Sequence, residues 1–132
     1  MYTDFLDKYI TPFKELSWVY NDDKGFIVWR QGTGNNSELL HIQTFKKRKG
    51  YGRDLFIEML ERLEYDPPYY SVFGFTRVDN QEAHNFYTAL GFSLEKITGL
   101  YQAGECRLFW APFTELVSLH IKKEEVNGPC IK

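Results

Sequence analysis

Cysteine and histidine are scarce in this 132-residue chain, and each scarcity closes off a class of protein. Two cysteines, Cys106 and Cys130, cannot build a disulfide framework and stand at no metal-type spacing. Three scattered histidines, His41, His84 and His120, define no metal site. No apolar run approaches the roughly 18 residues of a membrane-spanning helix. Asp4 and Asp7 interrupt the amino terminus where a secretory leader needs an apolar stretch. An excess of one charge is also missing. At a net charge of −2, binding to nucleic acid would need a local basic patch. The expectation is a single cytoplasmic domain over 1–132 with no metal, no membrane and no nucleic-acid partner. Aromatic residues, by contrast, are abundant: 11 Phe, 9 Tyr and 3 Trp make up 17% of the chain. That is more rings than a small core needs, so some are expected to line a groove.

Hydrophobic periodicity gives the element order. Tyr2, Phe5, Leu6 and Tyr9 have helical spacing, and Pro12 limits that helix. Phe13, Leu16, Trp18 and Tyr20 form an aromatic cluster leading into the turn-like NDDKG. GFIVWRQ and ELLHIQTF read as two strands joined by GTGNNS. After KKRKGYG, Leu55, Phe56, Met59, Leu60 and Leu63 fall on one helical face. YYSVFGFTRV at 69–78 reads as a buried central strand. A helix then starts at Asp79–Glu82 or at Asn80, presents Ala83, Phe86, Tyr87 and Leu90, and stops at Gly91. Strands near 93–102 and 105–113 follow. A tail from 114 carries an amphipathic helix through Leu116, Val117, His120 and Ile121. The fold class is α+β: a mixed sheet with helices on its faces.

The segment ELLHIQTFKKRKGYGRDLF is a strand, a glycine loop and a helix in immediate succession. The first amides of a helix lack intrahelical partners, and its dipole places about half a positive charge there. Phosphate is the natural guest of such a site, and Lys46, Lys47, Arg48 and Lys49 add charge. Taken alone, the element is equally a tight turn beside a solvated basic patch. KGYGRDLF also partly matches an RNA-binding strand signature, but its apolar residues repeat at 3.6 rather than 2, so the strand reading fails.

Downstream, NQEAHNFYTALGF fits N-x-x-A-x-x-F-Y-x-x-x-G-F. With KGYG ahead of its helix, the pair of motifs resembles the GNAT superfamily of acyl-CoA N-acyltransferases over roughly residues 25–113. The resemblance implies a mostly antiparallel sheet splayed at the cofactor site, with acetyl-CoA as co-substrate and a primary amine as acceptor. By position, it implies that pantetheine bonds backbone near Ile42 and Thr44. The pyrophosphate would meet the amides of Lys47, Arg48, Lys49, Gly50, Tyr51 and Gly52, and Asn80 would bond pantetheine or cap its helix. Tyr87 would stand near the sulfur as general acid, and a backbone amide near Ile42 would meet the oxyanion. Glu38 is the candidate base, with His41 second on the same strand. Glu38 also reads as a hairpin-edge charge, His41 as a half-buried strand residue, and Tyr87 as a helix aromatic packed beside Phe86. Lys47 stands where the family usually has Gln or Arg. About 24 residues precede the first clear strand, where the family usually has a strand and two helices, so which amine is the acceptor is not implied; a homodimer also stays open. Cys106 reads as a packed strand residue, and His84 and His120 as surface residues. Trp29, Phe73, Phe75, Phe109 and Trp110 read as core, whereas Tyr69, Tyr70 and Tyr101 are placed near a groove mouth, although Tyr101 also fits the core alternation. Two other readings stand beside the enzyme: a CoA-binding or interaction module without turnover, and a nucleic-acid-associated protein.

Overall fold

The computed structural model describes residues 2–13, 15–32, 34–47, 50–63, 70–101 and 104–121, with backbone alone for 96–101 and 104–106. Tyr2–Phe5 form α1, which continues as a π-helical turn over Leu6–Ile10, closed by the Thr11 amide donating to the Leu6 carbonyl. The strands are β1 (Leu16–Asn21), β2 (Gly25–Gln31), β3 (Ser37–Thr44), β4 (Ser71–Arg77), β5 (Ser93–Tyr101) and β6 (Gly104–Pro112). The later helices are α2 (Tyr51–Leu63), α3 (Gln81–Leu90) and α4 (Phe113–His120). The six strands form one sheet in the order β1-β2-β3-β4-β6-β5, antiparallel throughout except for the parallel β3–β4 pair.

The sequence reading missed one strand. The cluster around Leu16, Trp18 and Tyr20 is β1, paired in register with β2 from Leu16↔Arg30 to Asn21↔Gly25. Its signal is hidden because Val19 is apolar on the face where Ser17 and Asn21 are polar. Trp18 and Tyr20 face one cluster and Val19 the other, so the alternation is broken at its centre.

Two hydrophobic clusters sandwich the sheet. The larger one buries the predicted face of α2 (Leu55, Phe56, Met59, Leu60 and Leu63) together with Tyr87, Leu90, Phe109 and Leu116. The smaller one closes the other face of β1–β3 with rings. Phe5 lies 4.6 Å from Phe26 and 5.1 Å from Tyr20, and Tyr9 lies 4.7 Å from Phe26. These rings account for the aromatic surplus at the amino terminus. A short helix with few side chains needs bulky ones to cover three strands.

Candidate active site

The site begins with a fault in β3. Val28 of β2 opposes His41, but the next residue, Trp29, opposes Leu39, so Leu40 is an extra residue. Side chains alternate along a strand, and one inserted residue resets the alternation. Leu39 and Ile42 consequently share the main core, while Leu40 turns to the aromatic cluster. A bulge bends its strand. The parallel pairing of β3 with β4 holds only at Ser37↔Val72 and Glu38↔Phe73, and beyond Glu38 the two strands part.

Two helices start at the open end of this cleft. α2 follows the carboxyl end of β3 and α3 follows that of β4, so both positive dipole ends flank the gap. Gly50 precedes α2 with φ +93, and a side chain added there would meet nothing within 4 Å. Gly52 differs. A Cβ at Gly52 would stand 2.8 Å from the Phe86 ring, so this glycine serves the contact between α2 and α3. Lys47 Nζ approaches Glu82 Oε2 at 3.9 Å, joining the loop before α2 to the first turn of α3. Tyr51 sits under the Lys24 ammonium, which also holds Asp54 at 3.0 Å.

Asn80, not Asp79, caps α3: its Oδ1 accepts from the Ala83 amide at 3.1 Å. Asp79 instead takes the Arg77 guanidinium at 3.2 Å, which holds its carboxyl below the usual carboxylate range. The Asn80 amide hydrogens stay available as donors. Tyr87 is buried on α3, its ring stacked on Phe109 with centroids 3.8 Å apart and planes 10° apart. Its hydroxyl has no hydrogen-bond partner among the described residues, and burial raises its pKa well above the ordinary phenol value. The phenol at this position therefore keeps its proton across the physiological range.

Glu38 lies at the closed base of the cleft, bonded by Arg30 Nε at 3.0 Å and with 13% of its side chain exposed. His41 turns to the opposite face and meets the Tyr9 ring edge-on at 5.2 Å; burial lowers its pKa. Ile42 packs against the main core, and Thr44 pairs with Gly25. Arg48, Lys49, Tyr69 and Cys130 lie outside the described residues, as do the side chains of Tyr101 and Cys106. Tyr70 is exposed. No group of His, Cys, Asp and Glu among the described residues is arranged to hold a metal ion. No described helix is long and apolar enough to cross a membrane.

No protein-family model matches the sequence, and no curated protein matches it. Solved structures do. Ard1 from Thermoplasma volcanium is 25% identical, covering 67% of this chain and 62% of its own, with a TM-score of 0.58. A candidate GNAT-family acetyltransferase from Desulfovibrio desulfuricans is 18% identical, covering 83% and 76%, with a TM-score of 0.67. The chain has the GNAT fold. A candidate streptothricin acetyltransferase from Bacillus anthracis, solved in complex with acetyl coenzyme A, is 18% identical with a TM-score of 0.64, covering 80% and 66%. The chain spans less than two thirds of the Ard1 and Bacillus proteins.

Within this GNAT fold, two histidines expected at the surface are structural. His84 is buried, its Nε2 donating to the Arg77 carbonyl at 2.9 Å. His120 accepts from Arg53 Nε at 3.2 Å on Nδ1 and donates from Nε2 to the Leu90 carbonyl at 2.7 Å. It thereby ties α4 to the first turn of α2 and to the end of α3. Neither partner is close in sequence to its histidine's own helical face, so periodicity could not find them. Trp29 and Phe109 are core as expected, but Phe73, Phe75 and Trp110 are only half-buried. The bulge left one trace in the sequence: Leu39 and Leu40 followed by Ile42 break the alternation of an ordinary strand.

Proposed function

We propose that this protein is an N-acetyltransferase acting in the cytoplasm without a metal. It would pass the acetyl group of acetyl-CoA directly to a primary amine of a small molecule, peptide or protein. The observation that carries the reading is the parting of β3 from β4 after Glu38, with two helix amino termini at its mouth and a protonated phenol on α3. The donor set suits acetyl-CoA. Backbone freed by the splay at Ile42 and Thr44 offers amides and carbonyls to the pantetheine chain, and the Asn80 amide adds a donor. The open space above Gly50 and the amides of Lys47, Tyr51 and Gly52 suit its pyrophosphate, which the amides of Arg48 and Lys49 would also meet.

An alkyl ammonium with a pKa of about 10.4 is roughly 0.1% neutral near pH 7.4, so the acceptor nitrogen must lose a proton before it attacks. Glu38 would take that proton, directly or through water, and in doing so would exchange part of its bond to Arg30. Glu38→Gln is expected to lower kcat/KM by about 100-fold at neutral pH. An unchanged value in steady-state kinetics would leave deprotonation to solvent. The amide near Ile42 would meet the negative oxygen that develops during transfer, and the Tyr87 hydroxyl would return a proton to the departing group.

The test is release of free thiol from acetyl-CoA over a panel of amines. Acceptor-dependent release is expected; binding of acetyl-CoA with no release under any amine would make the protein a binding module. The two glycines should separate in calorimetry, although both substitutions cost stability, since at φ +93 a valine at Gly50 is strained. Gly50→Val should weaken acetyl-CoA binding by roughly 10-fold, because phosphate must approach that backbone closely. Gly52→Val should chiefly cost stability, about 1–3 kcal/mol, by driving into Phe86. Equal binding by wild type and the Gly50 variant would place the cofactor elsewhere.

A further inference from the structure

Among the described residues the sheet ends at β1, which is hydrogen-bonded to β2 on one side only. An edge strand turns the N–H and C=O of every second residue outward, a ready template for another chain. Proteins commonly blunt such edges with charge, proline or a bulge. Between Leu16 and Asn21, β1 has none of these: its sequence is LSWVYN and its register to β2 is unbroken.

A hollow of about 910 Å³ runs beside the strand from Glu15 to Asp22. Its walls come from both faces of the sheet, Tyr2 of α1 on one and Arg62 with Leu63 of α2 on the other. The flanking helices thus overhang the last strand and leave a slot whose floor is the β1 edge.

The charge of the slot selects its guest. Glu15 and Asp22 stand at its two ends. Burial raises the Tyr20 pKa, and Asp22 and Asp4 raise it further, marking a negative field along the strand. Arg62, the one cation among the described lining residues, is turned to Glu58 at 3.7 Å. A second copy of β1 would bring the same two acids to this rim. We propose that the β1 edge docks an extended cationic segment of another polypeptide, which joins the sheet as a seventh strand. Its backbone bonds to β1 while basic side chains about seven residues apart meet Glu15 and Asp22. Side chains between them alternate between the face of Trp18 and the face of Val19. This is strand addition, in which main-chain bonds supply affinity and alternate side chains supply selection.

The probe is a fluorescein-labelled peptide, Arg-Thr-Val-Thr-Val-Thr-Val-Arg, blocked at both ends. It carries no primary amine, so its binding is independent of acetyl transfer. Fluorescence anisotropy should show binding to wild type in low salt, at least tenfold weaker to the double variant Glu15→Lys/Asp22→Lys. That variant should instead prefer the peptide with Glu in place of both arginines, a gain that an unfolded protein cannot show. Hydrogen exchange at residues 16–20 should slow when the basic peptide is added. Four results would each overturn the proposal. The acidic peptide could bind wild type as tightly as the basic one, or exchange at 16–20 could be unchanged. The free protein could sediment as a dimer with those amides protected, which would give the edge to a second copy. They could also be protected in the free monomer and exposed by truncation after Ile121, which would give it to the chain's own carboxyl terminus.

Discussion

Replacing Gly74 with alanine is expected to lower stability by about 3 kcal/mol and the thermal midpoint by roughly 10 °C. Gly74 lies on the core face of β4, in the stretch where β3 is parting from it. A Cβ there would stand 2.2 Å from Phe109 Cζ and 2.7 Å from the Leu39 carbonyl oxygen. Such contacts require movement, and neither neighbour has room. The carbonyl belongs to the bulged segment of β3, and Phe109 is buried with its ring stacked at 3.8 Å on Tyr87. The added methyl therefore drives Phe109 toward Tyr87 or β3 away from β4. A circular-dichroism melt measures the loss, and a shift below about 2 °C would mean that the ring has space to retreat. Phe109→Leu, which shortens the obstructing ring, should recover part of the loss in the double variant, since contacting residues couple.

The second large effect concerns chemistry rather than folding. Tyr87→Phe is expected to reduce turnover by about 10 to 1000-fold while leaving acetyl-CoA affinity within about 2-fold. The substitution keeps the ring, so the stack on Phe109 and the edge contacts with Phe86 and Phe92 persist. The lost hydroxyl has no hydrogen-bond partner among the described residues, so stability should change by no more than about 0.5 kcal/mol. Steady-state kinetics beside calorimetry and a melt separate the three quantities. Unchanged turnover would remove the phenol as proton donor. The same burial carries a pH signature. Because the folded-state pKa is raised, the unfolded chain loses its phenol proton first, near pH 10. Stability from this group is complete below that pH and declines as pH rises above it. Alkaline unfolding should therefore be shallower in Tyr87→Phe than in wild type, with Tyr20, raised mainly by burial, contributing to what remains.

Most of the α2 face, the Gly91 stop and five of six strands were legible in the sequence because each is a local pattern. Five apolar residues at helical spacing have one way to be buried together, and Gly91 takes φ +107 as a helix stop requires. The glycine loop and the Asn80–Phe92 motif were legible for the same reason. The Asn80 side chain reaches only three residues ahead, to Ala83. β1 was not legible, because it is short and Val19 breaks its apolar–polar alternation. His84 and His120 were misread because their partners lie on other elements, the latter binding Leu90, 30 residues away.

The sequence by itself determined the order of elements from β2 onward, the glycine turn ahead of α2, and the aromatic excess that covers a thin layer. Tertiary structure decided how those parts act. A single extra residue at Leu40 moves Ile42 to the core face and is followed by the separation of β3 from β4, and Gly74 gives β4 room for Phe109 and the Leu39 carbonyl there. Neither effect is local. A bulge is defined only against a paired strand, and a missing Cβ matters only where another chain segment arrives. Burial of Tyr87 against Phe109, and with it a phenol that keeps its proton, likewise needs two elements that the sequence separates by 22 positions.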